Sequence, residues 1–110
     1  MSPSSPRIPD LGRFAEPSLY ILLSLSEGPK HGYAIMTDVE DVSGTQLGPG
    51  TLYAALARLE ERGLIEALPP EDRRRPYRLT GLGAAMLATQ LEQMQGFTRT
   101  ALQRLRRAGP

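Results

Sequence analysis

The chain has 110 residues, with 13 lysines and arginines against 12 aspartates and glutamates (net charge +1), no cysteine and a single histidine. That length fits one domain with a modest core, a size at which dimerisation is a common source of further buried surface. The lack of cysteine excludes disulfide frameworks and zinc fingers, and with no apolar run near the roughly 20 residues of a bilayer span and no apolar signal region at the N-terminus the chain reads as cytoplasmic, without a membrane partner.

Residues 1–13 hold three prolines, three serines and little periodicity, and read as a flexible arm. From Phe14 or Pro17 to Leu25 the sequence is dense in apolar residues, as expected of a helix buried on much of its surface, and Glu27-Gly28-Pro29 stops it. A second helix is predicted from Lys30 or His31 to about Val42, with Ile35, Met36, Val39 and Val42 facing inward and Tyr33 also assigned to the core. Lys30 at its start is a candidate phosphate ligand, helped by the positive end of the helix dipole. His31 reads as a capping or packing residue, because no second ligand lies at metal spacing. Ser43 to Gly48 forms a polar turn, and helix, turn and the next helix make a helix-turn-helix.

The third helix, within Gly48–Ile65, carries its own start and stop: Pro49 suits the first turn and Gly63 a left-handed C-terminal position. Leu52, Ala55, Leu56 and Leu59 recur at three- and four-residue spacing and form a buried stripe. Opposite lie Gly50, Thr51, Tyr53, Ala54, Ala57 and Arg58, a face that is slim at its start and bears a hydroxyl, a phenol and a guanidinium. Such a face suits a helix that enters a DNA groove. Thr51 and Tyr53 are placed at phosphates or base edges, Gly50 and Ala54 permit close approach, and Arg58 clamps the backbone; Tyr53 packing across the turn is the other reading of that residue.

Beyond Gly63 the period changes. Leu64 to Leu68 and Tyr77 to Thr80 read as two strands joined by a turn rich in Pro, Asp and Arg over Pro69–Pro76, a β-hairpin or wing. Residues 1–70 hold five basic and nine acidic side chains, whereas residues 71–110 hold eight and three. The run Arg73, Arg74, Arg75, with Arg78 near by, is either a solubilising loop or a contact to a flanking phosphate backbone, and local fields rather than net charge decide phosphate binding.

Thr80 is a predicted N-cap for a last helix of about 25 residues, roughly 38 Å long. Leu82, Met86, Leu87, Leu91, Met94, Phe97, Ala101, Leu102 and Leu105 mark its apolar face, and Leu87, Leu91, Met94, Thr98, Ala101 and Leu105 follow the alternating four–three rhythm of helix–helix packing, with one polar interruption. The helix either folds back on its own core or meets a second chain; its length favours the second chain, which makes these residues, with Leu102, the candidate dimer interface. Met86 and Met94 fill gaps there, or line a pocket for a flat effector.

Three motifs, in order, are Glu27-Gly28-Pro29-Lys30-His31-Gly32-Tyr33, Gly50-Thr51-Leu52-Tyr53 continuing through Leu59-Glu60-Glu61-Arg62-Gly63-Leu64-Ile65, and Arg75-Pro76-Tyr77-Arg78-Leu79-Thr80. With them the chain resembles the PadR family of bacterial transcriptional regulators in its short form, over roughly Pro17 to Leu105. It departs at Ala54, where many relatives carry proline, and at the wing tip, where relatives often carry glycine. The resemblance implies a mainly α fold with a small β-hairpin, a winged helix-turn-helix over residues 14–80 and a dimerisation helix over residues 81–110. It also implies a homodimeric repressor that binds double-stranded DNA at an inverted-repeat operator and is released by a small-molecule effector, without cofactor or metal. A winged helix that binds protein instead of DNA is the alternative, and the arginine run discriminates against it. Nothing points to an enzyme: Gly48-Pro49-Gly50-Thr51 lacks the spacing and lysine of a phosphate-binding loop, and the single histidine has no nucleophile motif beside it.

Overall fold

The described residues, 17–109 of a computed structural model, form four helices and three short strands, and the expected arm over residues 1–13 lies outside them. In chain order these are α1 (Pro17–Leu25), β1 (Lys30–His31), α2 (Gly32–Ser43), α3 (Pro49–Glu61), β2 (Ile65–Ala67), β3 (Pro76–Leu79) and α4 (Gly81–Ala108). This is a mainly helical winged helix with a long C-terminal helix.

Apolar density makes α1 the centre of the core. Ile21 and Leu25 on α1, Ile35 and Val39 on α2, and Leu52, Ala55, Leu56 and Leu59 on α3 are all buried, and Leu64, Ile65 and Leu87 close the cluster from the wing and α4. The predicted inner stripe of α3 is therefore buried residue for residue. Burying an aliphatic side chain of this size is worth about 1.5–3 kcal/mol, so these few helical positions hold the fold.

The hairpin forms as predicted, with Ile65 opposite Leu79, Glu66 opposite Arg78 and Ala67 opposite Tyr77. The addition is β1. Lys30 and His31, expected to open the second helix, instead pair antiparallel with Tyr77 and Pro76, giving the sheet order β1-β3-β2. Pairing with β3 holds this segment in extended backbone, His31 at φ −84° and ψ 167°, so the helix begins only at Gly32. Two further expectations fail. Val42 is 60% and Tyr33 69% exposed, because α2, which ends at Ser43 with Gly44 left-handed at φ 76°, rests only its Ile35 and Val39 stripe fully on the core, and Tyr33 lies about 200° round the helix from Ile35.

The root of α4 is locked to the end of α3. Thr80 caps α4 by accepting from the Gly83 amide at 3.0 Å, donates its hydroxyl to the Gly63 carbonyl at 2.7 Å, and gives its own N–H to the Leu64 carbonyl at 3.1 Å. Gly83 has no room for a side chain, since a Cβ there would collide with the Leu64 carbonyl. The direction in which α4 leaves is thus fixed relative to α3. Over its 28 residues, about 42 Å at 1.5 Å each, only Gly83 and Leu87 are buried.

Candidate nucleic-acid interface

Local sequence shapes both ends of α3. Gly63, at φ 76°, donates to the Glu60 carbonyl and Leu64 to the Leu59 carbonyl, both at 3.0 Å, so the last turn is closed by a left-handed glycine. The first turn is open. Gly48 occupies the N-cap position without a side chain to bond the helix, Pro49 has no N–H, and the first intrahelical bond runs from Leu52 to the Gly48 carbonyl at 2.9 Å. The amides of Gly50 and Thr51 are left as donors at the positive end of the helix dipole, where anions bind.

The outer face is exposed at every expected position: Gly50, Thr51, Tyr53, Ala54, Ala57 and Arg58. Nothing in the protein approaches the space a side chain would fill at Gly50, so the fold itself does not demand a glycine there. Tyr53 satisfies both readings at once. Its phenol lies on Gly32, where a methyl group would strike the ring, yet the residue is still 52% exposed.

From Tyr53 a chain of contacts leads through the buried Gly32 to the wing. Gly32 begins α2, and the preceding His31 stands at the N-cap position, its Nδ1 3.4 Å from the Ala34 amide and its Nε2 3.2 Å from a guanidinium nitrogen of Arg74. Arg74 belongs to the wing tip, where Glu71 and Arg74 exchange two backbone hydrogen bonds of 2.7 and 2.8 Å around Asp72 and Arg73. Asp72 at φ 48° and Arg73 at φ 66° make this the mirror-image turn that suits the twist of a hairpin, a conformation in which glycine at the second position is the usual occupant.

The wing-tip arginines Arg73, Arg74 and Arg75 are exposed. Arg78 is differently placed: it pairs with Glu66 across the hairpin at 2.6 Å, so its charge is locally balanced. Lys30 is also committed within the protein. Its ammonium donates to the Ser24 carbonyl at the end of α1, lies 3.2 Å from Glu27 and 3.5 Å from Asp38, and its side chain is only 19% exposed. The expected phosphate candidate is thus paired within the chain, and the reason is β1, whose extended backbone carries Lys30 back against α1. Tyr77, unmarked as a candidate in the sequence, sits where the wing meets α3. Burial raises its phenol above the ordinary tyrosine value, Glu60 and Tyr53 add to the rise, and Arg75 opposes it.

On α4 the candidate interface residues divide. Leu87 is buried in the protomer's own core, which corrects its assignment to an interface, and Ala101 is half-buried. Leu91 and Met94 are 41% exposed, Leu102 44% and Leu105 69%, with Thr98 exposed among them and Phe97 more open still. Beside this stripe an open groove of about 890 Å³ runs between α1, the end of α3 and α4, lined by Leu19, Leu22, Met86, Met94 and Phe97 with Arg62, Gln90 and Gln93 among its polar groups. Among the described residues, no helix is long and apolar enough to cross a membrane.

The sequence profile of the transcriptional regulator PadR-like family matches residues 21–89. An uncharacterized 37.1 kDa protein in transposon TN4556 of Streptomyces fradiae is 44% identical over 82 residues, which are 74% of this chain; the chain spans only 24% of that relative's length. Among solved structures, a transcriptional regulator from Clostridium thermocellum superposes with a TM-score of 0.68 at 30% identity, covering 80% of this chain and 87% of that one. A PadR family transcription regulator from Clostridium difficile gives a TM-score of 0.72 at 26% identity, covering 78% and 94%. A profile that takes in most of the winged helix and the root of α4, together with these superpositions, establishes that the chain belongs to the PadR-like family of transcriptional regulators, whose winged helix is a DNA-binding fold.

Proposed function

We propose that this protein is a homodimeric, cytoplasmic repressor that binds an inverted-repeat operator in double-stranded DNA and is released by a small-molecule effector. Residues 17–80, within the 14–80 span read from the sequence, act as the DNA-binding unit and residues 81–110 as the dimerisation helix. The observation that supports the reading is that the exposed face of α3 and the exposed wing-tip arginines are linked by contacts from Tyr53 through the buried Gly32 and His31 to Arg74, so α3 and the wing tip could address one duplex together. In this reading α3 enters the major groove, with Thr51 and Tyr53 at phosphates or base edges, Gly50 and Ala54 permitting close approach and Arg58 on the backbone. The wing arginines Arg73, Arg74 and Arg75 supply positive charge at the flanking phosphates, which adds affinity but little sequence information.

Dimerisation follows from the exposed stripe on α4, through Leu91, Met94, Thr98, Ala101, Leu102 and Leu105. Its locked root would convert the two-fold axis of the dimer into a fixed separation of the two α3 helices, and an operator read in successive major grooves requires about 34–36 Å. The groove beside α1 has the size and apolar lining of a small-molecule site, and a ligand there would touch both the core and the dimerisation helix.

Selection of bound sequences from random duplex DNA tests the reading directly: an inverted repeat is expected, and recovery of no preferred sequence would count against it. Replacing Arg73, Arg74 and Arg75 together by alanine should weaken binding to all sequences alike and flatten its salt dependence by about 0.9 for each phosphate no longer neutralised. An unchanged slope would remove the wing from the DNA interface and favour a protein partner.

A further inference from the structure

The three wing-tip arginines are adjacent in sequence but not equivalent in space. Among the described residues, Arg74 is the one of the three whose guanidinium is hydrogen-bonded to the helix-turn-helix, 3.2 Å from His31 Nε2, and its backbone closes the tip by pairing with Glu71. We infer that Arg74 is a positioning residue: docked on His31, it holds the wing at a fixed angle to α3, while Arg73 and Arg75 are the arginines that meet phosphate. This rests on the proposed DNA-binding role and divides it among neighbouring side chains.

The chemistry of the imidazole makes the dock specific. Arginine only donates, so Nε2 must be the accepting nitrogen and the ring proton sits on Nδ1. A neutral imidazole has one lone-pair nitrogen, so Nδ1 then cannot also accept from the Ala34 amide. The two interactions are alternatives, and a hydrogen bond from a charged donor is roughly twice as strong as a neutral one; the geometry agrees, at 3.2 Å to Arg74 against 3.4 Å to Ala34. His31 is held in place by β1, which pairs it with Pro76, so the dock adds a side-chain tie beyond the last backbone rung between β1 and the wing. The tip gains from such a tie, because Arg73 occupies left-handed backbone that a long side chain does not favour, although Asp72 before it tolerates that conformation.

The decisive variant is His31→Asn. Asparagine is among the preferred N-caps, so the start of α2 loses no capping group, but its side chain is too short to reach Arg74. Amide exchange in the unbound protein is the first measurement. The amides of Glu71 and Arg74 should exchange about two- to fivefold faster in both His31→Asn and Arg74→Ala, the range set by a solvent-exposed charged interaction, and the double variant should be no faster than either single one. Binding of duplex operator across a salt series is the second. His31→Asn and Arg74→Ala should each weaken binding about two- to fivefold with the slope unchanged, whereas Arg73→Ala and Arg75→Ala should each lower the slope by about 0.9, one phosphate fewer being neutralised. A slope that falls equally for Arg74→Ala, or losses that add in the double variant, would overturn the assignment. If the unaltered protein binds no duplex, the proposed function fails, and unchanged exchange in His31→Asn would independently sink the dock.

Discussion

Helix α3 and the distal half of α4 carry the same apolar rhythm and meet opposite fates. Leu52, Ala55, Leu56 and Leu59 on α3 are between 0% and 3% exposed, while Leu91, Met94, Leu102 and Leu105 on α4 are between 41% and 69% exposed. Spacing at three and four residues states only that a helix has an apolar face. What covers that face depends on reach: α3 is short and lies between α1 and the wing, whereas α4 leaves the domain after Leu87 and its distal half extends past the other described elements. The first stripe belongs to the stability of one chain, and the second is the surface through which we propose that two chains associate.

The strongest way to break this contrast is Leu91→Asp. A charge in the α4 stripe should convert the dimer to monomer in sedimentation velocity and lower operator affinity by roughly 10²–10⁴-fold, since two linked half-sites become one, while the circular dichroism of the winged helix is retained. Persistence of the dimer would show that the stripe is not the interface. Leu52→Ala attacks the other stripe, and it should cost about 2–5 kcal/mol in urea unfolding through the cavity it leaves. In that variant, dimerisation of the folded fraction should be preserved. The smallest effect sharpens the contrast within α3 itself. Gly50→Ala puts a methyl group into open space on the outer face, so thermal stability should hold or rise by up to about 1 kcal/mol while operator affinity falls roughly tenfold, about 1.4 kcal/mol. A loss of stability without a loss of binding would reverse the roles assigned to the two faces.

Much of the fold was legible because local physics sets it. Pro49 and Gly63 bound α3, Thr80 caps α4, and the change of period after Gly63 announces the hairpin. Strand β1 was not legible: two residues have no periodicity, and their pairing with Tyr77 and Pro76 exists only once the hairpin has folded back. Other outcomes also depend on packing between distant segments: Lys30 is taken up by Ser24, Glu27 and Asp38 because β1 turns it inward, Tyr33 and Val42 lie off the Ile35 and Val39 stripe that rests on the core, and Arg78 finds Glu66 only through the cross-strand register. The candidate site was likewise legible as residue types on α3 and the wing, but the pairing of His31 with Arg74, 43 positions apart, leaves no trace in either motif taken alone.

By itself the sequence determined the helices, their caps, the inner stripe of α3 and the arginine-rich tip, because each depends on side chains within a turn or two of one another. Tertiary structure alone decided which cations remain free, which apolar face remains open, and that Tyr53, His31 and Arg74 lie along one chain of contacts. Those outcomes arise from burial and pairing between distant segments, and such interactions have no energy until the chain has already brought the segments together.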